Sequence, residues 1–242
     1  MSLPYYFEVP EIELPFDVMK YVYQEDDLMD KDDQIFDGNT DYLDKLQQGR
    51  TASKEAGWYL QGFGGTGAEK TQGATLSEST GMTEEQNAEM SKLLREWSKD
   101  TFTVRMTSVS LLRTLPGQNG WWHCEGPMLR SRRCALNFLV EGELNKTKAE
   151  WGYCKLWGDI PPEQVEQKGY VKAEYVPEME VYENGTYVSD VLNRGFFYNT
   201  MYLHRGVNED CNQHRTILSI ALQENIDIHA VHKVYQEGNL FK

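Results

Sequence analysis

Two stretches hold most of the residue types that do chemistry. In LRTLPGQNGWWHCEGPMLRSRRCALNFLVE, from Leu112 to Glu141, His123 and Glu125 stand two positions apart. In an extended chain such residues share a face, so both side chains can turn toward one ion. In NTMYLHRGVNEDCNQHRTILSIAL, from Asn199 to Leu222, His204 is followed some ten residues on by Arg215, at the head of a β-prone run. Two imidazoles and one carboxylate make a facial ligand set suited to Fe(II), with positions left open for a co-substrate, O2 or water. An arginine nearby suits a dicarboxylate, because its planar fork holds a carboxylate through two parallel hydrogen bonds. Each residue also has an ordinary structural reading. A strand histidine can be a hydrogen-bonded core residue. Glu125 can pair with Arg113 or with the cluster Arg130, Arg132 and Arg133, and Arg215 with Glu209 or Asp210. His214 would face the other side of the Arg215 strand, and His229 with His232 lacks a third ligand nearby.

For residues so far apart to meet, neighbouring strands must carry them, and from Phe102 onward the texture is that of short strands. TVRMTSVSLLRTL reads as a strand or strand pair and Pro116 to Gly120 as a turn. Trp121 to Glu125, Arg133 to Glu141, Ala149 to Trp157, Val171 to Tyr175, Met179 to Tyr182 and Thr186 to Leu192 read as strands. Asn184-Gly185 has the form of a hairpin turn, and residues 158–169 that of a connecting loop. This spacing predicts a mainly β sandwich or barrel with flanking helices. The firmest helix is residues 84–98, where a T-E-E-Q capping box precedes Met90, Leu93, Leu94 and Trp97 at helical spacing.

Upstream, Pro10 and Pro15 confine the alternating start of the chain to an edge strand or extended arm, with a short helix after Phe16. The acidic run of residues 24–41 lacks EF-hand spacing. Residues 42–50 suit one or two helical turns. Gly57 to Gly81 reads as a surface loop or lid; Lys70 arrives too late after Gly62 and Gly67 for a phosphate loop. The tail from Ile226 is unassigned. No repeat or linker divides the chain, so residues 1–242 are taken as one domain. Within it, 1–100 form an arm, loops and a helix, 101–225 the core, and 226–242 a tail.

With 24 basic and 38 acidic residues the chain carries a net charge of −14, which opposes nonspecific binding to nucleic acid or anionic membrane. Cys124, Cys134, Cys154 and Cys211 form no C-x-x-C pair, which argues for free thiols in a reducing compartment rather than structural zinc. Neither a signal peptide nor a run of roughly 20 apolar residues is present, so the expectation is a soluble cytoplasmic protein.

The order His-x-acid, a gap of roughly eighty residues, His, then Arg before an apolar strand resembles the Fe(II)- and 2-oxoglutarate-dependent oxygenases. The phrases around the two histidines look most like the aspartyl/asparaginyl hydroxylase-like and related phage or bacterial branches. The likeness runs from about Val104 to Leu222. It implies a double-stranded β-helix, the cupin-like jelly roll, with iron held by His123, Glu125 and His204. It also implies 2-oxoglutarate anchored by Arg215, with Asn137 at its near end and Ser219 on the arginine's face. Many members place Ser or Thr where this chain has Ile217, and aspartate where it has Glu125. Trp121, Trp122 and Arg130 would border a small-molecule or peptide substrate, whose C–H bond is hydroxylated with O2 while 2-oxoglutarate gives succinate and CO2. Two alternatives stay open: a cupin-like metalloprotein of another reaction class, and a non-catalytic jelly-roll module.

Overall fold

The computed structural model describes residues 5–21, 51–53, 58–65, 84–114, 116–117, 119–120, 122, 133–154, 181–222 and 226–242. Its strands in chain order are β1 (Tyr6–Glu13), β2 (Thr51–Ser53), β3 (Trp58–Gly65), β4 (Met106–Thr114), β5 (Cys134–Glu141), β6 (Lys148–Cys154), β7 (Val181–Val188), β8 (Arg194–Asn199), β9 (Leu203–Val207) and β10 (Arg215–Leu222). They form a seven-stranded sheet in the order β1-β8-β5-β10-β4-β3-β2 and a three-stranded sheet in the order β7-β6-β9. All pairings are antiparallel. From β4 onward the chain crosses repeatedly between the sheets: β5 in the large one, β6 and β7 in the small, β8 back, β9 across, β10 back. This is the winding of a jelly roll.

The central strands β5 and β10 are buried along almost their whole length, because both faces of the large sheet are covered. On the outer face Leu136, Phe138, Val109, Leu111, Phe197, Leu218 and Ile220 pack against α1 (Glu84–Thr101), α2 (Ile228–Gln236) and a short 3-10 helix, Val18–Tyr21. The spacing of Met90 and Leu94 that predicts α1 is the spacing that seats it there. Phe196 and Tyr198 turn the other way and meet Ala149, Trp151 and Tyr187 of the small sheet. Full burial of one such outer side chain is worth about 1.5–3 kcal/mol. The outer layer thus offsets a less favourable inner one, where Thr114, Asn137, His204, Arg215 and Ser219 are all buried.

Several expectations are corrected here. Asn184-Gly185 is no hairpin turn: it lies inside β7, one strand where two were expected. Trp151 pairs with Gly185 and Gly152 with Glu183, so Asn184 is the extra residue of a bulge. Glycine is needed there because a Cβ at Gly185 would stand 2.6 Å from Cδ2 of Tyr5, whose ring stacks on Trp151. Gly185→Ala is expected to destabilise the fold by about 1–3 kcal/mol through overpacking, read as a lower midpoint in denaturant unfolding. Residues 58–65, expected to open a loop or lid, form β3 and pair with β4. Glycine can stand in this strand because the pairing is set by backbone. Of the run 103–115, expected as a strand or strand pair, Met106–Thr114 form one strand, β4; β8 is a strand the sequence reading passed over, and much of the C-terminal tail is α2, capped by Asp227.

Other expectations hold. β1 is the edge strand that Pro10 demands, with its register broken between Val9 and Glu13. The expected strand Trp121 to Glu125 apart from Trp122, the strand Val171 to Tyr175, and residues 24–50, 66–83 and 158–169 lie outside the described residues. No helix among the described residues is long and apolar enough to cross a membrane.

Candidate functional site

β9 and β10 carry His204 and Arg215, and the two sheets face each other at these residues. Within β10, Leu218, Ile220 and Leu222 belong to the outer core. By the two-residue period, Arg215, Ile217, Ser219 and Ala221 therefore face inward. Thr114 is paired with Arg215, and Asn137 with Ser219, so these join the inner face. In β9, His204 pairs with Trp151 and Gly206 with Ala149, both inner positions of β6. Arg205 turns outward to Glu150 with N···O contacts of 2.8 and 2.9 Å, and its guanidinium lies 4.7 Å from the Trp122 ring centroid.

His204 is 5% exposed, and its ring stands edge-on to Tyr198 at 4.9 Å. Its Nδ1 lies 2.8 Å from the carbonyl oxygen of Tyr202. A carbonyl can only accept, so Nδ1 carries the proton and the neutral ring's lone pair falls on Nε2. Backbone engagement of one ring nitrogen is how metal-binding histidines are commonly oriented.

Arg215 is 6% exposed, and its Nε has no hydrogen-bond partner. No carboxylate among the described residues pairs with it: Glu209 instead accepts from Asn119 Nδ2 at 2.7 Å. Its head lies against the bare backbone of Gly206, where a Cβ would stand 2.4 Å from Nη1. An isolated buried charge costs several kcal/mol, and Asn137 on the same face also leaves its Oδ1 unpartnered. Arg113 is alike in its buried Nε and differs in having a carboxylate beside it. It faces outward, pairs with Glu141 at 3.1 Å, and shares that carboxylate with Thr216.

Burial pulls the Arg215 pKa down to about 10, while Tyr198 and Cys211 act in the opposite direction. The guanidinium is still charged at neutral pH. Its burial penalty is full below pH 10 and is relieved as pH rises toward the unfolded chain's higher value. Carboxylate binding at this residue is therefore expected to be level up to about pH 9 and to fall once pH passes about 10, as calorimetric titration would show.

The far end of this face is closed by polar loops. Gly117, in the left-handed region at φ 72°, donates to the carbonyls of Asn208 and Cys211. Asn119 Oδ1 accepts from the N–H groups of Asn208 and Glu209. Asn119 also bridges Val207, and Gly120 donates to the Gly206 carbonyl at 2.8 Å. The two stretches singled out in the sequence are thus laced together beside β9.

Of the sequence-derived site residues, the fold brings His204, Arg215, Asn137 and Ser219 to one inter-sheet face. Trp122 lies beside Arg205 instead, next to the outward-facing side of β9. His123, Glu125, Trp121 and Arg130 lie outside the described residues. Among the described residues no group of three or more His, Cys, Asp and Glu gathers as a metal site. Sequence reasoning missed Gly206 and Tyr198. The signal for Gly206 was its place two residues after His204, on the same face.

No protein-family model matches the sequence, and no curated protein matches it. Among solved structures the chain is similar to an oxidoreductase of the 2OG-Fe(II) oxygenase family from Burkholderia pseudomallei, at 7% identity and a TM-score of 0.37, covering 77% of this chain and 78% of that one. It is similar also to a viral collagen prolyl hydroxylase from Paramecium Bursaria Chlorella virus-1 in its 2OG complex, at 10% identity, a TM-score of 0.34, and 91% and 96% of the two chains. Peruvianin-I, a cysteine peptidase from Thevetia peruviana latex, stands beside them at 11% identity, a TM-score of 0.31, and 84% and 76% coverage. Likeness at this level does not separate functions; side-chain geometry does.

Proposed function

We propose that the chain is an Fe(II)- and 2-oxoglutarate-dependent oxygenase that hydroxylates a C–H bond of an amino acid, peptide side chain or small metabolite. The observation that carries this is Arg215: a buried guanidinium with no carboxylate among the described residues, inward-facing, and pressed against the strand that bears His204. A carboxylate of the co-substrate supplies the missing partner, through the fork geometry for which arginine is suited.

The residues fit the cofactor in their chemistry. His204 offers Nε2, with its Nδ1 proton committed to the Tyr202 carbonyl. His123 and Glu125 complete the ligand set; only two residues of chain separate His123 from Gly120, which is hydrogen-bonded to β9. Bound there, Fe(II) with O2 supplies the oxidative decarboxylation of 2-oxoglutarate to succinate and CO2, coupled to hydroxylation. Arg215 holds the distal carboxylate, while Asn137 and Ser219 offer an amide and a hydroxyl to the same guest. Tyr198 packs between His204 and Trp151, an aromatic surface that keeps water from the reacting groups.

The test is anaerobic addition of Fe(II) and 2-oxoglutarate. The expected result is the weak visible charge-transfer band of the chelate, followed in air by succinate formation, even uncoupled from substrate. Absence of both band and succinate overturns the proposal.

A further inference from the structure

Gly206 follows His204 by two residues on β9 and faces the head of Arg215. A Cβ there would stand 2.4 Å from Nη1 and 2.8 Å from Cζ of Arg215, closer than real Cβ atoms come, and the obstacle is a guanidinium itself almost wholly buried. The backbone of Gly206 makes no such demand, since its φ is not among the positive values. The need for glycine is therefore one of space. Gly120 provides the comparison. It donates to the Gly206 carbonyl at 2.8 Å, but a Cβ on it would meet only ordinary contacts at 3.5 Å. Of two adjoining glycines, one is sterically tied to the arginine and the other is not.

We infer that Gly206 is a positioning residue of the dicarboxylate site: its bare backbone lets the Arg215 guanidinium lie against β9, on the His204 side of the inter-sheet space. This presupposes the 2-oxoglutarate site proposed above. One short dicarboxylate can then reach the arginine with one end and the histidine-bearing strand with the other. An alanine would push the guanidinium back by about an ångström before contact becomes ordinary. Displacement of that size beside a bound group can cost up to about a hundredfold.

The experiment uses the full chain with Mn(II), titrated anaerobically with 2-oxoglutarate by calorimetry, and with Mn(II) affinity measured separately. Gly206→Ala is expected to weaken 2-oxoglutarate binding at least tenfold and to leave Mn(II) affinity within twofold, while Gly120→Ala changes neither. In an Arg215→Lys background, adding Gly206→Ala should change 2-oxoglutarate affinity less than twofold, because the slimmer lysine has no flat head to displace. Equal losses in both backgrounds would mean that Gly206 acts on the strand rather than through Arg215, and would overturn the inference. So would unchanged binding by Gly206→Ala. If Gly206→Ala does not fold, a folded Gly206→Ala/Arg215→Lys protein supports the inference and an unfolded one overturns it. Failure of the parent protein to bind 2-oxoglutarate is a different result, and removes the proposed function together with the inference.

Discussion

Arg215→Met is expected to make the ligand-free protein more stable and its 2-oxoglutarate binding about a hundredfold weaker or worse. Both halves have one cause. The guanidinium is buried, and none of the described acids compensates its charge. Replacing an uncompensated buried ion by an apolar side chain of similar length often stabilises a fold. For a chain of this size each kcal/mol gained raises Tm by about 2–4 °C. Removing one partner of a buried charge pair costs about 2–5 kcal/mol of binding, hence the expected collapse in affinity. Thermal unfolding with and without 2-oxoglutarate reads both effects: the parent should rise in Tm on adding the co-substrate, and the variant should not. A variant that unfolds earlier but still responds to 2-oxoglutarate would make Arg215 a structural residue. Metal affinity should be retained, since the arginine is no ligand.

The second large effect is expected at His204. Loss of an outer partner of a metal ligand typically costs about 10–100-fold in metal affinity, and His204→Ala removes the ligand itself, so Mn(II) affinity should fall by more than that. The ring also fills space beside Tyr198, so the variant is expected to lose some stability while keeping its fold by near-ultraviolet circular dichroism. Metal binding equal to that of the parent would place the metal elsewhere. Together the two substitutions test the proposed division between the strands, metal with β9 and carboxylate with β10.

Legibility in the sequence followed the physics of each element. Helix α1 was readable because Met90, Leu93, Leu94 and Trp97 recur with the helical period on one buried stripe. β5 and β10 were readable because strands covered on both faces are mostly apolar runs, here broken by Asn137 and Ser219. β8 was not, since adjacent Phe196 and Phe197 serve opposite faces and leave no alternation to detect. The N-G turn misled for a related reason: Gly185 answers to the ring of Tyr5, a contact made across the fold that no local turn preference contains. Ser219 could be placed on the face of Arg215 from strand period, whereas His204, Arg215 and Asn137 were reached as a set through the family resemblance. What could not be read was the absence of an acid for Arg215 among the described residues, or the close seat that Gly206 provides for it. Those are facts of three-dimensional neighbourhood.

The flank of β1 that no other described strand pairs with bears on behaviour in concentrated solution. An unpaired outer strand is ordinarily a template on which another molecule can dock its own backbone. On this flank Pro10 has no N–H to give, the pairing register is broken between Val9 and Glu13, and Glu8, Glu11 and Glu13 set like charges along an already anionic surface. An incoming chain thus meets interrupted donors and electrostatic repulsion, and growth of ribbons from this side of the molecule is suppressed.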